Sequence, residues 1–180
     1  MPNSRAFLTA ILLSTICCTA PLHAQSESPD KPKRKIVTAP ALQQAPVDFN
    51  HPPREYVSRE AQGWDVFIEK ELADQEPERA KAALGRLDAK LGEIVKVLPE
   101  SALPDLRKVK IFIMHGQHAK NGGRSSGLEY FRQESPKHYE WLDPRMASSI
   151  VIYDAENYLR LTDHWALKAL MHEMGHPHHL

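Results

Sequence analysis

The stretch Thr162-Asp163-His164-Trp165-Ala166-Leu167-Lys168-Ala169-Leu170-Met171-His172-Glu173-Met174-Gly175-His176 decides the reading of this chain. Thr162 and Asp163 are both good helix caps. Leu167, Leu170, Met171 and Met174 supply an apolar face at helical spacing. The stretch closes on His172-Glu173-Met174-Gly175-His176, an H-E-x-x-H. Residues four apart on a helix lie on one face, one turn apart, so two imidazoles there can bind one tetrahedral Zn²⁺. Glu173 stands about 100° round the helix from His172. From there it can hydrogen-bond a water on the metal without ligating the metal, and act as general base. His172 and His176 are thus the expected metal ligands and Glu173 the expected catalytic residue. The bland reading is a His-rich surface helix; the helical context and the apolar face argue against it.

Upstream, the pattern expects a strand from Trp64, Val66 and Ile68, which alternate with Asp65, Phe67 and Glu69. A long helix is expected over 76–98, with Ala80, Ala83, Leu84, Leu87, Leu91, Ile94, Val95 and Leu98 on one face. Asp74 is its expected cap and Pro99 its stop. Further strands are expected at 108–114 and 149–153, and a short exposed one at 128–132. The fold class is therefore α+β: a small mixed sheet, a long backing helix and an active-site helix.

The 180 residues suit one ordinary domain, and 42% hydrophobic with 26% charged residues suits a globular one. Lys plus Arg (23) balances Asp plus Glu (23), which argues against a nucleic-acid partner. Residues 1–24 read as a signal peptide: Arg5, an apolar run over 6–20, and Ala24 before the cleavage point. Stable membrane insertion after cleavage is not expected, because the run is short for a span. Both cysteines, Cys17 and Cys18, lie inside this segment, so the mature chain has no disulfide. They also leave a lipid anchor as an alternative to a periplasmic or secreted protein. Residues 25–61 hold six of the 14 prolines by residue 53 and a basic cluster at Lys31, Lys33, Arg34 and Lys35, and are expected to be a flexible linker. The folded domain is expected over 62–180.

The motif and its order of elements resemble the zincin superfamily of zinc metallopeptidases. The chain is most similar to exported bacterial zincins, on Gly63-Trp64 and Leu106-Arg107-Lys108-Val109 as well as on the motif. The resemblance covers about 62–179 and is pattern-level outside H-E-x-x-H. It implies a zincin-like N-terminal subdomain, Zn²⁺ on His172 and His176, Glu173 as general base, and a peptide or protein substrate. It also implies that the substrate lies antiparallel to an edge strand, here 128–132. The third ligand differs between branches. Metzincins place a His six residues after the second and a Gly where this chain has His179. Gluzincins take a Glu from a later helix, which makes them the nearer match. After the motif come only Pro177-His178-His179-Leu180, and Pro177 is expected to kink or stop the helix at His176. The sequence is read as a piece cut just after the motif and inactive alone; the other reading gives the third ligand to His178 or His179. A silent zincin-like binding domain and a His-rich metal-buffering protein remain as alternative functions. Tyr130, Tyr139 and Tyr153 are oxyanion candidates that the sequence does not separate. His51, His115, His118, His138 and His164 share no ligand spacing, and most are expected to be exposed or hydrogen-bonded.

Overall fold

A computed structural model describes residues 47–178, all within the compact unit Leu42–Leu180. Among them five strands and six helices form a mixed α/β fold. The strands are β1 (Tyr56–Ala61), β2 (Trp64–Glu69), β3 (Lys110–Ile113), β4 (Leu128–Phe131) and β5 (Ser149–Ile152). The helices are α1 (Lys70–Gln75), α2 (Pro77–Val97), α3 (Leu103–Leu106), α4 (Ser135–His138), α5 (Ala155–Arg160) and α6 (Asp163–Gly175).

The sheet order is β1-β2-β3-β5-β4. The central three strands are parallel, and both outer strands run antiparallel to their neighbours. β1 and β2 join through Gln62 (φ 53°) and Gly63 (φ 86°), a two-residue turn with positive φ at both positions. Gly63 is required twice over, since a Cβ would also press on the Arg107 side chain. Arg107 donates from Nε to the Gln62 carbonyl (3.0 Å) and covers the Trp64 ring, whose Nε1 donates to the Leu106 carbonyl (2.9 Å). The two stretches that carried the upstream resemblance thus touch each other.

One sheet face presents Val66, Ile68, Ile111, Ile113, Ile150 and Ile152 to the helices. There α2 lays down Ala80, Ala83, Leu87, Leu91 and Ile94, and α6 lays down Ala166, Leu170 and Met174. The i, i+4 and i+8 positions of α6 face inward, so His172 and His176 face out. The other sheet face carries Phe112 and Val151 under Phe49, Phe131, Leu142, Met146 and Tyr153.

Two expectations are corrected. The linker does not extend to residue 61. Residues 47–61 belong to the fold: Phe49 is buried, stacks on Tyr153 and donates its N–H to the Trp141 carbonyl (2.8 Å), and 56–61 form β1. One aromatic, one buried Arg and backbone pairing hold a segment that is too polar to announce itself. The second correction concerns Asp74, which lies in α1 and does not cap α2. α2 starts with Pro77 at its first turn and Glu76 before it. Residues 1–46, with the expected signal peptide and most of the expected linker, lie outside the described residues.

Candidate metal centre

α6 is held at its start by three contacts. Thr162 Oγ1 accepts from the Trp165 N–H (3.3 Å), a side-chain cap. Arg86 of α2 donates to the carbonyls of Leu159 and Leu161 and to Asp163 Oδ1 (3.2 Å). Lys90, its stem buried in α2, sets its ammonium near Asp163 (3.5 Å) and Glu93 (2.8 Å). The cationic side chains of α2 pin the chain as it enters α6, while the buried face of Ala166, Leu170 and Met174 sets the rotation of the helix and with it the direction of the motif.

The rings of His172 and His176 stand with centroids 5.0 Å apart, nearly perpendicular at 81°. One ligand atom each from His172, Glu173 and His176 fall within 4.8 Å of one another. No other group of three such side chains does so among the described residues. The α-helix stops at His176, directly after its last residue Gly175, as the sequence led us to expect, and Pro177 does not kink it ahead of the second imidazole. His176 keeps helical angles (φ −62°, ψ −39°), its N–H donates to the Glu173 carbonyl, and the chain tightens to a 3-10 turn over His176–His178. The one-turn spacing of the histidines is kept.

Glu173 differs from its neighbours in being largely buried. Its Oε2 accepts the backbone N–H of Tyr130 in β4 (2.9 Å) and lies 3.7 Å from His176 Nε2. The Tyr130 ring runs parallel to the His176 ring, 6.2 Å away. Antiparallel pairing alternates inward and outward backbone groups. Since the Tyr130 N–H points to Glu173, Leu128 and Tyr130 carry the outward-facing groups of this edge strand. The motif helix and the strand edge are one structure, joined by the glutamate.

Of the three tyrosines, only Tyr130 reaches the motif. Tyr153 donates to Glu129 (2.6 Å) under Arg124 in the opposite core, and burial there pushes its phenol pKa up. Tyr139 packs against Trp141. The remaining histidines mostly follow expectation: His51 pairs with Asp48, His118 with Glu156, and His138 and His164 are exposed. His115 is the exception, being buried with neither ring nitrogen hydrogen-bonded. Sequence reading missed it because a His after an apolar strand looks like the start of a loop. It also missed the Tyr130–Glu173 bond, which is carried by a backbone group.

Two imidazoles one turn apart, reachable from solvent, suit a borderline metal such as Zn²⁺. His178 and His179 cannot be placed in this set, since neither side chain is among the described ones. None of the described helices is long and apolar enough to cross a membrane. Comparison with protein-family models, with curated proteins and with solved structures returns no match.

Proposed function

We propose that this chain carries the metal-binding helix of an exported, zincin-like zinc peptidase. The supporting observation is the joint geometry of α6 and β4: two histidines facing out one turn apart, and the glutamate between them anchored to an edge strand. His172 and His176 would hold the ion. Bound zinc would supply a Lewis acid and bring the pKa of its water towards about 7. Glu173 would take the proton of the attacking water and pass it to the leaving amine. The outward groups of Leu128 and the Tyr130 carbonyl suit an extended peptide added as a further strand, the Tyr130 N–H being held by Glu173. The mixed sheet with its backing helix agrees with a zincin-like subdomain, and catalytic zinc takes three protein ligands. The third would have to be supplied beyond the described donors, by a Glu in the gluzincin manner or by His178 or His179.

Glu173→Gln tests the assignment. In the zinc-loaded protein, the variant should keep its zinc and lose peptide hydrolysis by about 10²–10⁴-fold or more. Full activity in that variant would reject the mechanism. The openness of both imidazoles also favours a second reading, a metal-holding protein without catalysis. In that case wild type would bind zinc and cleave no peptide.

A further inference from the structure

Two of the three groups at the motif are held from outside α6, and one residue touches both. β4 pairs with β5 in a register that sets Tyr130 opposite Ile150, on the helix side of the sheet, with Phe131 turned to the other face. A slip of one residue would reverse this. In this register the Tyr130 N–H meets Glu173 Oε2 (2.9 Å), which fixes the backbone from which the Tyr130 ring projects. The ring itself lies parallel to that of His176, with 11° between their planes and centroids 6.2 Å apart. That is the spacing of an offset stack.

The two histidines are unequal in this respect. Among the described residues, the His176 ring has three neighbours: Tyr130, the nearly perpendicular His172 ring and Glu173 Oε2. The carboxylate oxygen is 3.7 Å from Nε2, too long for a hydrogen bond, so the glutamate does not orient the ring. His172 meets the His176 ring alone. His176 also stands where α6 gives way to the 3-10 turn, and helix ends fray. Its own helix therefore constrains it less than one turn earlier.

We propose that Tyr130 is the positioning residue of the metal centre, its ring holding the His176 imidazole in the orientation that takes the ion. This rests on the reading of His172 and His176 as metal ligands. In the present orientation a nitrogen of His176 comes within 4.8 Å of the donor atoms of His172 and Glu173. The stack exists before the ion arrives, so it acts on affinity by excluding other rotamers. A helical histidine has about two common χ1 wells and about two ring orientations, or about four states. Spread evenly among them, His176 would be competent about a quarter of the time, and apparent affinity would fall about fourfold.

The test is a titration of the full chain with Zn²⁺ alone, in competition with a chromophoric chelator, for wild type, Tyr130→Phe and Tyr130→Leu. Both variants keep the backbone N–H that Glu173 accepts, and only Tyr130→Leu removes the ring. Tyr130 is part-buried on an edge strand, so neither change opens a cavity in the core. Tyr130→Phe should bind zinc as wild type does, and Tyr130→Leu about fourfold more weakly. In the metal-free proteins, the His176 ring-proton signals should move in Tyr130→Leu and hold in Tyr130→Phe, which a purely structural role would not produce. Equal zinc affinity in all three proteins overturns the inference and leaves the metal reading standing. Equal weakening in both variants also overturns it, since the hydroxyl would then be the active group. Wild-type zinc binding that survives His172→Ala and His176→Ala rejects the metal reading, and this inference with it.

Discussion

Arg54 and Glu69 form a buried ion pair, with 4% and 2% of their side chains exposed. The pair is well satisfied, because Arg54 also donates to the Gly122 carbonyl (2.7 Å) and Glu69 also accepts from His115. Removing one partner of such a pair leaves the other charge buried alone, which typically costs about 3–5 kcal/mol. Arg54→Met should therefore lower unfolding free energy by about 3–5 kcal/mol in urea melts. A change within about 0.5 kcal/mol, the range of ordinary surface substitutions, would show that residues 47–61 are not part of the cooperative fold. Glu173 is likewise largely buried, with its carboxylate oxygen on one backbone N–H.

At the scale of elements, the relation between α2, α6 and β4 decides what the motif can do. α6 buries Ala166, Leu170 and Met174 in the core and packs Leu167 at its margin, so Leu170 bears much of its attachment. Leu170→Ala should cost about 2–5 kcal/mol, read by thermal or denaturant unfolding. A cost under about 1 kcal/mol would mean that α6 is held mainly by its Arg86 and Lys90 contacts. How far the sequence disclosed these elements depended on their burial. The period-2 run of β2, the 3.6-period stripe of α2 and the apolar run of β5 were legible because each buries a continuous apolar face. β1 was not, since Ser58, Arg59 and Glu60 are all exposed on an edge strand. Its signal was the Gln62-Gly63 turn before β2. α1 and α5 were hidden by their length, six residues each, too short for a period to show. The histidines and Glu173 of the motif were legible because their spacing follows from helix geometry alone. The Tyr130 contact and the burial of His115 depend on how distant segments meet.

At the scale of the whole molecule, the described fold begins at residue 47, and residues 1–24 have the composition of an export signal. Protein recovered from its native host should begin at Gln25, as read by intact mass and N-terminal peptide mapping. Recovery of the chain from Met1 would reject cleavage.

The central claim, that His172 and His176 hold a zinc ion, is tested most directly by the ring ¹⁵N–¹H signals of those two residues during zinc titration. Both rings should shift together in wild type and in Glu173→Gln, each reporting a nitrogen bound to metal. Rings of His172 and His176 that stay unshifted while zinc is taken up would contradict the account.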